Sequence, residues 1–139
     1  MESTQMIEAF SQWAREKEIA VIRLQSDDEI FGGTCRRNFK IVLSIRRRDL
    51  NFCSIEVMFL KIDNISAQMG QFIAKRNHDF SLPFRIAFDD TNNHLSLLWT
   101  DLLENVTKES FKSYLRYIHD MADLMHRELT KNPTALNAH

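Results

Sequence analysis

An α+β fold, an antiparallel sheet packed by helices, is predicted by three observations. Apolar residues recur at helical spacing near both ends of the chain and once in the middle. Strict apolar/polar alternation fills the stretches between them, and clusters of turn residues break that alternation into hairpins. The element order is helix, three strands, helix, two strands, long helix, and no internal repeat is visible.

Met6, Ile7, Phe10, Trp13 and Ala14 lie on one helical face, and Ser3 or Thr4 is placed to cap it, so the first helix is expected over about residues 4–17. A short β-branched stretch, Ile19-Ala20-Val21-Ile22, follows and ends at the acidic turn Ser26-Asp27-Asp28-Glu29. Gly32-Gly33 reads as a further turn, since the pair lacks any phosphate-loop spacing. Phe39, Ile41, Leu43 and Ile45 alternate with Lys40, Val42, Ser44 and Arg46 and are joined by a cationic tip to a second strand, Phe52 to Leu60. Placing Ile45 opposite Phe52 sets Cys53 against Ser44 and leaves Cys35 roughly 30 Å away along its strand. At that distance the two thiols cannot bridge.

Ile65, Met69, Phe72 and Ile73 define a second helix after Asp63-Asn64 that runs to about Asn77. Gly70 inside it allows a close backbone approach. Phe80, Leu82, Phe84, Ile86 and Phe88 then alternate, Asp89 to Asn93 turn the chain, and His94 to Trp99 returns as the partner strand. Pro83 marks an edge or a bulge in the first of these strands. The last segment is the most regular, with Phe111, Leu115, Ile118, Ala122, Met125 and Leu129 on one seam after Thr107 as N-cap. About 23 residues of helix reach roughly 34 Å, enough to cross a small domain. Tyr114, Met121 and Leu124 form a second stripe available in part to a partner. One domain over 1–130 and a flexible tail over 131–139 are expected.

Composition narrows the class. With 139 residues, 44% hydrophobic and 27% charged, the chain can bury about two-thirds of its surface and is neither disordered nor collagen-like. No apolar window is long enough to span a membrane and the first residues lack a signal-peptide pattern, so a cytoplasmic protein without membrane insertion is expected. Cys35 and Cys53 are too few for a disulfide scaffold or a zinc site and read as reduced thiols.

The net charge of −1 conceals an asymmetry. Arg36, Arg37, Lys40, Arg46, Arg47 and Arg48 form a basic patch with no acid between them, while the other 12 cations face all 19 acids, a net −7. Nucleic acid is disfavoured as a partner, because the whole chain is slightly acidic and Phe39 and Phe52 alternate into the expected core.

Reactive constellations are sparse. His119, Asp123 and His126 share a helical face, but no second ligand cluster accompanies them and no metal site is assigned. Neither cysteine has a neighbouring histidine, no phosphate-binding or nucleophile-elbow motif appears, and Asp27/Asp28 and Asp89/Asp90 sit in exposed turns. The residues assign no catalytic group and no cofactor.

Several runs carry a resemblance: Phe72-Ile73-Ala74-Lys75-Arg76-Asn77, then Phe84-Arg85-Ile86-Ala87-Phe88-Asp89-Asp90, then Leu95-Ser96-Leu97-Leu98-Trp99, and Val106 to Phe111 opening a closing helix with Met121-Ala122-Asp123 inside it. In this order they resemble the type III secretion chaperone-like fold, shared by Tir-chaperone-type proteins and YbjN-type domains. Residues 63–130 carry the resemblance in their motifs and residues 1–62 only in element order.

The resemblance implies a homodimer that holds an extended segment of a secreted effector or other client protein by apolar pockets and strand addition. Phe10, Trp13, Phe52 and Met58 are the candidate client contacts, and Met69 and Phe84 the candidate dimer residues. Secretion chaperones are usually clearly acidic, and this chain is not. The alternative is a YbjN-like regulatory protein that meets a folded partner or nucleic acid through the basic hairpin at 36–48.

Overall fold

A computed structural model of the chain describes residues 1–25, 29–34, 39–47, 50–79 and 84–131, with 25, 29, 30, 34 and 47 placed by their backbone only. Helix α1 spans Ser3–Glu16, strands β1 to β4 span Ile22–Gln25, Glu29–Thr34, Lys40–Arg47 and Asn51–Lys61, and helix α2 spans Ala67–Asp79. Strands β5 (Phe84–Asp89) and β6 (His94–Leu102), a 3₁₀ turn at Leu103–Asn105 and helix α3 (Lys108–Lys131) complete the order. The six strands make one antiparallel sheet in the order β1-β2-β3-β4-β6-β5.

Helix α1 begins where the Glu2 amide donates to Gln5 Oε1 (3.2 Å), so Glu2 stands at the cap, just before the Ser3 or Thr4 expected from sequence. It ends in a Schellman arrangement: Ile19 N donates to Ala14 O (2.8 Å) and Glu18 N to Arg15 O (3.1 Å). Glu18 adopts the left-handed conformation that this closure requires, with φ at 58°. The turn delivers Ile19 onto the core, where it is buried. Ile19 to Val21 therefore connect the helix to the sheet and are not a strand.

The expected three strands before α2 are four. Gly32 and Gly33 lie inside β2 and not in a turn. Each glycine clears a side chain on a different face of the sheet. A Cβ on Gly33 would stand 2.6 Å from Ile19 Cγ2, and one on Gly32 would stand 2.7 Å from Leu24 Cδ1. The pair lets β2 pass beneath both side chains.

The hairpin of β3 and β4 is offset by one residue from the expected register. Ile45 faces Cys53, and Arg46 faces Phe52. A one-residue slip exchanges the two faces of a strand. The observed register buries Cys53, Ile55, Val57 and Phe59 and turns Phe52, Ser54, Glu56 and Met58 to the other side. The expected register would have driven Glu56 into the core, where a carboxylate is costly without a partner. Phe52 thus leaves the core position expected of it, while Phe39 is buried as expected. Cys35 and the stretch Phe80 to Pro83 lie outside the described residues.

Helices α1 and α3 pack on each other, and α3 crosses β4 and β6. Phe111, Leu115, Ile118, Ala122, Met125 and Leu129 are all buried, as their spacing requires. At the N-terminus of α3 the Ser110 amide donates to Thr107 Oγ1 (3.1 Å) and the Thr107 amide donates to Ser110 Oγ (2.9 Å), a reciprocal cap. Trp99, fully buried, stacks with Tyr114 at a ring separation of 4.8 Å, and Tyr114 meets Phe84 edge-on. Leu124 of the second stripe stays exposed.

Helix α2 starts later than the Asp63-Asn64 caps suggest, at Ala67, with the Met69 amide donating to Ser66 Oγ at 3.0 Å. It packs against β5. Helix α3 continues through Lys131, so the expected tail begins one residue later, at 132, and lies outside the described residues.

Candidate functional site

One face of the sheet is covered by α1 and α3, and the other carries side chains that no described helix covers. Pairing arranges that open face in transverse rows. Gly32, Val42, Glu56, Leu98 and Arg85 make one row, and Lys40, Met58, Ser96 and Ala87 make the next. On the other side of the first row, Ser44, Ser54 and Thr100 form a floor of small hydroxyl residues, followed by Arg46, Phe52 and Leu102.

Two concavities result, both bordered by Val42. The smaller, about 510 Å³, lies over the hydroxyl floor between Arg46 and Phe52 on one wall and Val42, Glu56 and Leu98 on the other. Glu56 is held there by Ser96 Oγ, which donates to Oε2 at 3.1 Å. The larger, about 590 Å³, lies at the β1 end of the sheet between Ile22, Leu24, Lys40, Met58 and His94. Ile22 is 61% and Leu24 53% exposed, on the last strand of the sheet. Large apolar side chains on an edge strand are unusual without a partner, because such an edge invites pairing.

The structure separates the residues singled out from sequence. Phe52, 38% exposed, and Met58, half-buried, stand on the open face. Phe10 and Trp13 point the other way: both are buried, and they hold α1 on the core and against α3, where Trp13 meets His119 edge-on at 5.8 Å. They are unavailable to a client in this conformation, because the same apolar spacing that made them candidates seats the helix. Met69 and Phe84 are each 1% exposed and belong to the core. Of the basic patch, Lys40 and Arg46 are exposed on the open face. Arg36, Arg37 and Arg48, with the side chain of Arg47, lie outside the described residues.

Ile22, Leu24, Val42 and Leu98 were missed as surface residues. The alternation of Ile22 and Leu24 was a usable signal, but β1 is only four residues long and gives little periodicity.

The other candidates are engaged singly. His119 Nδ1 lies 3.7 Å from Asp120, Asp123 pairs with Arg127 at 3.4 Å, and His126 packs against the Phe39 ring at 5.2 Å. Among the described residues no three potential ligands are grouped around a metal position. Burial, reinforced by the charge of Asp101, pushes the Cys53 thiol up to about 12, so it is not an activated nucleophile. Asp89 is held below the usual carboxylate range, chiefly by the Asn92 side-chain amide, and its Oδ1 accepts from the Thr91 amide at 3.0 Å to close the β5–β6 turn. No described helix is long and apolar enough to cross a membrane.

No protein-family model and no curated protein sequence matches the chain. Solved structures do. A chain in the crystal structure of the ExsC–ExsE complex superposes with a TM-score of 0.71 at 17% identity, covering 91% of this chain and 96% of its own length. The Yersinia pestis type III secretion chaperone SycH, solved in complex with a stable fragment of YscM2, superposes with a TM-score of 0.57 at 14% identity, covering 86% of this chain and 98% of its own. Both similarities extend into residues 1–62 as well as the motif-bearing second half, since neither could otherwise reach its coverage. The three helices and the six-stranded antiparallel sheet are those of the type III secretion chaperone-like fold.

Proposed function

We propose that this chain is a non-enzymatic secretion chaperone that holds an extended segment of a client protein on the open face of its sheet. The observation that carries this reading is the exposure of Ile22 and Leu24 on the edge strand β1, beside the 590 Å³ concavity. An extended segment laid along β1 gains main-chain hydrogen bonds that are indifferent to its sequence, and its alternate side chains reach the 590 Å³ concavity beside Ile22, Leu24 and Met58. Met58 and Phe52 supply adaptable contacts further across the face. The structural relatives support the reading, because the SycH structure holds a fragment of a second protein.

A second copy of the chain belongs to the proposal. With Met69 and Phe84 committed to the core, the dimer contact falls to the outward positions of α2, and the expected solution mass is twice 16.4 kDa. The cytoplasm is the compartment in which such a client would be held before export.

Capture from the source cells tests the function, with Leu24→Asp/Met58→Asp and Arg46→Ala/Arg47→Ala/Arg48→Ala variants run in parallel. The expected result is a protein retained through a protease-protected terminal segment, lost with the Asp variant and unmoved by the Ala variant or by added salt. Recovery of nucleic acid or a folded acidic partner, lost with the Ala variant and with salt, would overturn the reading in favour of the regulatory one.

A further inference from the structure

The sheet has two ends, and they are treated differently. At β5 the side chain of Asn77, projecting from the last turn of α2, makes at Ile86 both hydrogen bonds that a neighbouring strand would make there. Its Nδ2 donates to Ile86 O (3.0 Å), and its Oδ1 accepts from Ile86 N (2.6 Å). A carboxamide carries one donor and one acceptor on a planar group, which is the peptide unit's own pattern. Since Ile86 turns its N–H and C=O away from β6, the alternation of an antiparallel ladder makes it one of the residues through which an added strand would pair. The same turn of α2 is anchored to α3, where Arg76 donates twice to Glu128, at 3.0 and 3.2 Å, and lies over the Phe72 ring. The two consecutive residues thus tie the end of α2 to the helix layer and to the sheet edge.

We infer that Asn77 is a strand surrogate that closes the β5 edge against pairing, so that an extended partner is refused at this end of the sheet. The selection goes beyond the proposed chaperone role and does not depend on it: a closed edge is a property of the chain alone. Its consequence for that role is directional, because β1 is then the end at which a client segment can add.

Two measurements on the full chain test the inference. The first is amide hydrogen exchange at Ile86, with Arg85 and Ala87, whose amides face β6, as internal controls. Asn77→Ala is expected to exchange about tenfold faster at Ile86 with the controls unchanged. Asn77→Asp, which keeps the acceptor for Ile86 N–H but loses the donor to its carbonyl, is expected to retain most of the protection. The second uses a fluorescent peptide copying His94–Leu102, the sequence that already pairs with β5. It is expected to bind Asn77→Ala at least tenfold more tightly than the parent chain, and Asn77→Asp to an intermediate degree.

Equal Ile86 exchange in the parent and Asn77→Ala would overturn the inference. So would equal peptide affinity, since a purely structural Asn77 would leave pairing unchanged. If Asn77→Ala unfolds, the Asn77→Asp comparison decides alone: peptide binding no tighter than the parent's is the overturning result. None of these outcomes bears on whether a client is captured.

Discussion

Gly32 and Gly33 are neighbours with opposite tolerances. A Cβ at Gly33 meets the stiff, β-branched side chain of Ile19 at 2.6 Å and the Ala20 carbonyl oxygen at 3.1 Å, so backbone as well as side chain must give way. A Cβ at Gly32 meets the far end of Leu24, which is exposed and free to swing. Gly33→Ala is therefore expected to destabilise by roughly 1–3 kcal/mol and Gly32→Ala by under about 1 kcal/mol, read from urea midpoints at constant m. Equal losses would show that Leu24 is as fixed as Ile19. Cys53 gives a pH-dependent counterpart. Its thiol is raised to about 12 in the folded chain from an ordinary value of 9.0, so between those values the unfolded chain releases a proton that the folded chain retains. Stability contributed by this site is intact below pH 9 and falls by up to about 1.4 kcal/mol per pH unit above it. Denaturation from pH 8 to 10.5 is expected to show a steeper alkaline loss for the parent than for Cys53→Ala; parallel curves would count against the burial of the thiol.

Helices and strands differed in how plainly the sequence announced them, for a physical reason. Helix α3 repeats its seam from Phe111 to Leu129 and is capped by Thr107, so local pattern and tertiary burial agree along the seam. Strands β1 and β2 have four and six residues, and β2 has glycine at two of its positions, so neither offers enough period-two signal to stand out. The β3–β4 register was ambiguous because both alternatives bury apolar residues; the cost of burying Glu56 is what separates them. The same limits decided the candidate site. Met58 and Phe52 were visible as apolar strand residues, but only the sheet order reveals that Ile22 and Leu24 lie on a terminal strand. The end of α1 offers an element-scale test. Glu18 occupies the left-handed closing position with a side chain that disfavours it, and glycine there carries no such penalty. Glu18→Gly is expected to stabilise the chain by about 1 kcal/mol, seen as a raised melting temperature; a loss would mean that the Glu18 side chain contributes more than its backbone costs.

At the scale of the whole molecule, the fold places its helices α1 and α3 on one side of the sheet, and no described helix covers the other. Lys40 and Arg46 rim that side, so any long-range attraction of an acidic client falls with ionic strength while the apolar contacts persist. The shortness of β1 has a mechanical consequence. Four residues offer only a few main-chain hydrogen bonds, each a weak net contributor. A segment lying along β1 and drawn from one end would load those bonds in succession, as a zipper opens, and would detach under far less force than one pulled so that all its bonds shear together. If the proposed client is held in that way, it stays extended at rest and is released by a modest directional pull.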